Sequence, residues 1–150
     1  MWAHYAKDHT GAVLELWSLP EEDNALSVSR PVEYTKTPPS FFTENEFLDY
    51  FCGVSALDLP ALTRRAVHTK SDHWNYEKEW RVYYPLSDKP GLYEDVSLRP
   101  SEFRGIYFGC RAEPDFIEKA SKLVSSHFPH VKTYRSHRLT SAYELSFSEI

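Results

Sequence analysis

The stretch GIYFGCRAEPDFIEKASKLVSSHFPHVKTYR, residues 105–135, decides the fold class. It opens on Gly105-Ile106-Tyr107-Phe108-Gly109, a short apolar run bracketed by glycines, which reads as a buried strand. From Pro114 to Phe128 the residues Phe116, Ile117, Ala120, Leu123, Val124 and Phe128 recur at helical spacing, which predicts an amphipathic helix. Val131 to Arg135 and then Tyr143 to Phe147 read as closing strands.

Working back from this stretch, strands and helices mix without a repeating unit. Val13, Leu14, Leu16 and Trp17 form a strand that ends near Pro20, and residues 20–24 form a polar turn. Pro31 to Lys36 is a second, short strand with Val32 and Tyr34 on one face, closed by Pro38 and Pro39. Thr43-Glu44-Asn45-Glu46 has capping-box spacing, so Thr43 begins a helix whose apolar positions are Phe47, Leu48, Tyr50 and Phe51. Gly53 supplies the left-handed stop. Leu59 to Val67 is a further helix, with Pro60 tolerated in its first turn.

From Tyr76 to Tyr84 the pattern turns to period two, with Trp80, Val82 and Tyr84 on one face and Glu77, Glu79, Arg81 and Tyr83 on the other. A short strand is expected at Asp95 to Leu98. The order β-β-α-α-β-β-β-α-β-β predicts one α+β domain over residues 1–150. Its sheet should be mixed and mostly antiparallel, with inserted helices and one long amphipathic helix near the C-terminus. Trp80, Val82, Ile106, Phe108, Leu123 and Val124 are expected in a common core.

Composition narrows the function classes. A chain of 150 residues buries roughly 70% of its unfolded surface and needs no metal or disulfide to fold. The formal net charge is −5 with no long run of one sign, which argues against a nucleic-acid binder. Arg64 with Arg65, and Arg135 with His137 and Arg138, read as solvated surface. Cys52 and Cys110 are far apart and outside any metal-ligand spacing, as suits free thiols in a reducing cytosol. No signal peptide and no run of ~18 apolar residues is present, so a soluble, cytoplasmic protein with no membrane contact is expected.

Chemistry concentrates in two segments. On a strand, Glu77 and Glu79 would face one side about 7 Å apart, with Arg81 next on that face as the compensating cation. A solvent-facing strip of ion pairs, worth little in stability, is the plain alternative. Trp74, Tyr76 and Trp80 flank the strip and suit the stacking of a flat ligand. Paired carboxylates of this kind can orient a hydroxyl and stabilise positive charge developing at a sugar carbon. The second segment is Trp2-Ala3-His4-Tyr5, where Trp2 and Tyr5 are expected to pack and His4 either points into a cleft or is a hydrogen-bonded core histidine. His4 and His9 with the glutamates would be a metal set, but their spacing matches no recognised signature, and none is assigned.

These residues carry a resemblance. Trp2-Ala3-His4-Tyr5-Ala6 with His9 and Gly11, then Tyr76-Glu77-Lys78-Glu79-Trp80-Arg81, then Gly105 to Gly109, resemble the bacterial family catalogued as domain of unknown function 2971. The family implies no established activity. Its members usually carry a further amino-terminal segment, with a Tyr-rich strand and an Asn-Asp-Pro turn, so the resemblance implies a truncated member, inactive as this fragment.

The Glu77-Lys78-Glu79 strand followed by an Ile-Tyr-Phe strand is also similar, at the level of fold, to the end of some ADP-ribosyltransferase domains. That analogy implies an NAD-cleaving enzyme with NAD as the small molecule. Glu79 would then be the catalytic carboxylate and Glu77 would orient the acceptor. His4, Tyr5, Tyr76 and Arg81 would bind the ligand in one shared cleft. The alternatives are a non-enzymatic module that binds a nucleotide or a protein, and a metal-dependent hydrolase.

Overall fold

The computed structural model describes residues 2–22, 25–83, 93 and 95–150. In chain order the strands and helices are β1 (Ala12–Leu16), β2 (Arg30–Pro31), β3 (Glu33–Thr35), α1 (Glu44–Phe51), α2 (Leu59–Val67), β4 (Thr69–Ser71), β5 (Trp80–Arg81), β6 (Phe103–Phe108), α3 (Pro114–His127), β7 (Lys132–Arg138) and β8 (Leu145–Glu149). Short 3-10 turns cover Ala25–Val28, Asp72–Glu77 and Pro100–Glu102. Helices and mixed, mostly antiparallel strands make the chain α+β. It forms two compact units: Met1–Ser27 with Asp95–Ile150, and the continuous stretch Val28–Glu94.

The first unit is a four-stranded sheet in the order β1-β6-β7-β8. β1 and β6 run antiparallel, β6 and β7 parallel, and β7 and β8 antiparallel. The parallel pair requires a crossover, and α3 supplies it. Ile117 and Val124, with Ala120 and Phe128 half-buried, bring the apolar stripe of α3 onto Ile106, Phe108, Ala112 and Val131. Phe108 is fully buried and meets Phe116 edge-on, with ring centroids 5.7 Å apart.

The other sheet face carries aromatic side chains at alternate positions. Tyr107 stacks on Tyr134 at 4.7 Å and meets Phe147 edge-on at 5.3 Å. Its hydroxyl donates to Glu15 at 2.7 Å. That carboxylate lies across from Gly105, where a Cβ would stand 2.9 Å from Glu15 Oε2.

The amino-terminal block is a chain of turns rather than a strand or helix. Lys7, Asp8 and His9 all adopt positive φ, at 50, 51 and 65°. Three consecutive left-handed non-glycine residues are strained, and the surroundings must hold them. The Gly11 N–H donates to the Ala6 carbonyl at 3.0 Å, and the Arg111 N–H donates to the His9 carbonyl at 3.0 Å. The His9 carbonyl presses so close to Gly109 that a Cβ there would stand 2.0 Å away. Trp2 is half-buried and stacks on His9 at 6.0 Å, whereas Tyr5, also expected to pack, is 67% exposed.

In the second unit β3 and β4 run parallel, joined through α1 and α2, and β2 pairs antiparallel with β5. The Thr43 capping box forms as its spacing predicts, and Gly53 takes a φ of 70° just beyond α1. α2 starts on Asp58, whose carboxylate accepts from the Ala61 N–H at 3.0 Å. No residue of α1 or α2 is fully buried.

Three expectations are corrected. The strand over 76–84 shrinks to Trp80–Arg81, because a 3-10 turn runs to Glu77 and Lys78 adopts a left-handed φ of 47° that breaks the extended run. Tyr84 lies outside the described residues. Residues 95–98 are not a strand, and Val96 and Leu98 are exposed. Trp80 and Leu123, 65% and 61% exposed, leave the expected core, while Ile106, Phe108 and Val124 share it. Trp80 is opposite Pro31, which has no N–H to extend the ladder, so that pair is too short to build a buried face. Leu123 sits off the α3 stripe formed by Ile117, Ala120 and Val124.

Candidate functional site

Lys70, the middle residue of β4, organises the charged residues of the second unit. Its ammonium donates to Glu77 and, at 3.0 Å, to Glu79 Oε2. Arg81 closes the network: its Nε donates to Glu79 Oε1 at 2.6 Å and its Nη2 to Oε2 at 3.1 Å. The remaining arm of that guanidinium, Nη1, donates to the Val67 carbonyl at the end of α2. The Glu79 N–H donates to the Tyr34 hydroxyl at 2.8 Å. Two cations and two carboxylates therefore cancel, and together they tie β3, β4, β5 and the last turn of α2.

The electrostatics follow from those contacts. The Arg81 guanidinium, followed by Lys70, overcomes partial burial and holds the Glu79 carboxyl down at about 2. Glu79 in turn holds Arg81 above its ordinary value, and Glu77 with Glu79 raises Lys70. All three groups stay charged at neutral pH. Glu79 thus has no proton to donate, and both of its oxygens are engaged. The Glu77 side chain is only 6% exposed.

Of the residues singled out in the sequence, the structure brings Glu77, Glu79 and Arg81 together, though around Lys70 and across a turn rather than along one strand. Tyr76 stands beside Trp74, ring centroids 6.0 Å apart, and is 59% exposed. His4 and Tyr5 belong to the first unit, where both are exposed and their rings meet edge-on at 6.4 Å. Among the described residues no three His, Cys, Asp or Glu side chains converge on a metal-sized site. No described helix is long and apolar enough to cross a membrane.

Sequence reasoning passed over Lys70 and Tyr34. The Lys70 ammonium lies 4.9 Å from the centre of the Trp74 ring, within cation–π range. It also lines a groove of about 310 Å³ with Thr35, Lys36, Thr37, Thr69 and Ser71. This groove opens at the carboxyl ends of β3 and β4, the end of a parallel pair where ligands of α/β folds bind. Its volume is at the lower end of the range for small-molecule sites.

Residues 1–82, more than half of the chain, match the family described as "Protein of unknown function (DUF2971)", and the chain belongs to that family. The matched residues include the Trp-Ala-His-Tyr block and the Glu77 to Arg81 network. No curated protein and no solved structure matches the chain.

Proposed function

We propose that this chain is a non-catalytic binding domain for a small nucleotide-class ligand, seated in the groove beside Lys70. The groove itself supports this reading most directly. Lys36 offers charge to a phosphate, and Thr35, Thr37, Thr69 and Ser71 carry hydroxyls suited to phosphate and ribose oxygens. Trp74 and Tyr76 present partly exposed rings for a base to stack on. The Glu77–Lys70–Glu79–Arg81 network acts as a positioning device that fixes Lys70 and the turn bearing Trp74.

Isothermal titration of the 150-residue chain with AMP, ADP-ribose and NAD tests this. Binding is expected without release of nicotinamide, and Lys36→Ala or Trp74→Ala should weaken it at least tenfold. Absence of heat with all three compounds, or equal affinity in both variants, would overturn the reading.

A second reading, an ADP-ribosyltransferase-like NAD-cleaving domain, draws support from Glu79 alone. Its carboxylate stays ionised, as a group stabilising an oxocarbenium-like centre must. Steady release of nicotinamide from NAD that Glu79→Gln abolishes would establish that reading in place of the first.

A further inference from the structure

A second cavity of the Val28–Glu94 unit shares no residue with the groove beside Lys70. It measures about 440 Å³ and is lined by Val28, Arg30, Leu59, Pro60, Thr63, Arg64, His68 and Tyr83. Two arginines, a histidine and two hydroxyl-bearing residues are among its lining, and no carboxylate is among the described residues that line it. Such a set repels cations and is matched to an oxyanion, whose charge and fork geometry suit paired arginines.

Other arginines beside the cavity are engaged within the fold. Arg65, the neighbour of Arg64, donates to the Phe41 carbonyl at 3.1 Å and pairs with Glu46 at 3.8 Å. Arg81, directly opposite Arg30 in the β2–β5 pair, is consumed by Glu79 and the Val67 carbonyl. Arg30 and Arg64 have no such ion pair among the described residues.

His68 gives a second, independent observation. It caps α2 through its backbone N–H, which donates to the Arg64 carbonyl at 2.9 Å. Both of its ring nitrogens are shielded from solvent and lack a hydrogen-bond partner among the described residues. A shielded imidazole with neither nitrogen paired is costly, and such groups call for an explanation. Arg64 and His68 are four residues apart at the end of α2, so their side chains share one face.

We propose that the cavity of Arg30, Arg64 and His68 is a phosphate site. The two guanidinium groups carry the charge and Thr63 adds a hydroxyl, while the His68 ring, whose nitrogens are shielded as it stands, turns to present one of them to a phosphate oxygen. A free phosphate and the phosphoryl group of a nucleotide present the same chemistry to these residues. The proposal does not depend on the groove beside Lys70, and the two fail on different variants.

The test is titration of the full chain with inorganic phosphate and with AMP, followed by the proton and nitrogen resonances of the His68 ring and the Arg side chains. Phosphate should shift His68, Arg30 and Arg64 first. Arg64→Ala and Arg30→Ala should each weaken phosphate binding at least tenfold, while Lys119→Ala, which removes an exposed cation paired with Asp115 on α3, leaves it unchanged. AMP binding here more tightly than phosphate assigns the site to a nucleotide phosphoryl group, and equal affinity assigns it to free phosphate. Variants are compared only where circular dichroism matches the parent, and the parent's resonances decide where they do not. Resonances of His68 and both arginines that stay still at 20-fold molar excess of phosphate, or equal affinity in folded Arg30 and Arg64 variants, would overturn the site.

Discussion

Glu79 and Arg81, two residues apart in the chain, form a side-on pair in which Nε and Nη2 of the guanidinium reach both carboxylate oxygens, at 2.6 and 3.1 Å. Bidentate pairs of this kind are the stronger and more directional ion pairs. The residue between them, Trp80, is 65% exposed and lends the pair no apolar cover.

This pair sets an acid limb for stability. The Glu79 carboxyl titrates at about 2 in the folded chain against an ordinary 4.5. A depressed folded value means stability that is whole above pH 4.5 and is lost as pH falls from there through about 2. Denaturant unfolding of the parent and of Glu79→Gln at pH 7, 4 and 2.5 should show it. The parent should exceed the variant by on the order of 1–2 kcal/mol at pH 7, discounted for partial exposure, and the gap should narrow to roughly a quarter of that by pH 2.5. A gap that persists unchanged at low pH would mean the pair contributes through packing rather than charge.

Gly109 should tolerate no side chain. A Cβ there would lie 2.0 Å from the His9 carbonyl oxygen, which is backbone and cannot swing aside. Gly109→Ala must displace the left-handed turn of Lys7, Asp8 and His9, and the expected loss is about 3 kcal/mol, the upper range for overpacking. The midpoint of urea unfolding measures it. A loss under about 0.5 kcal/mol, the scale of ordinary surface changes, would show that the turn is not fixed by this contact.

Tyr107 should ionise late. Its hydrogen bond to the Glu15 carboxylate, aided by burial, pushes the phenol up to about 12 from 10.0. A raised value means stability that is whole below pH 10 and is lost as pH rises through about 12. Ultraviolet absorption near the phenolate band should show one tyrosine fewer titrating near pH 10 in the parent than in Glu15→Gln. Identical titrations would remove Glu15 as the cause.

What was legible in the sequence is what local chemistry dictates. The Thr43 capping box, the limits of α2 and the stripe of α3 follow from caps and from 3.6-residue periodicity, which act within a few residues. Glu77, Glu79 and Arg81 were recognisable as one charged group, because oppositely charged residues so near in sequence seldom escape one another. Their geometry was not. Lys78 takes a left-handed backbone although its side chain type gives no sign of it, and that one residue converts the expected strand into a turn. Lys70 was invisible because its role arises from the parallel pairing of β4 with β3, across two intervening helices. His68 and Arg30 escaped for the same reason: a cavity assembled from β2 and both ends of α2 leaves no spacing in the sequence.

The pairing of β1 with β6 has a consequence for how the chain comes to be folded. Leu16 lies opposite Phe103, so these strands form a hairpin whose turn is the whole of residues 17–102. On a ribosome β1 emerges long before its partner and must wait with an unsatisfied edge. The Val28–Glu94 unit, being continuous in sequence, has all of its own strands by then and can collapse while β1 is still waiting. Collapse of that unit draws the ends of the long loop together and lowers the entropy cost of the pairing that follows. Synthesis therefore imposes an order, inserted unit first and enclosing sheet last, and changes that slow the inserted unit would prolong the exposure of β1 to other chains.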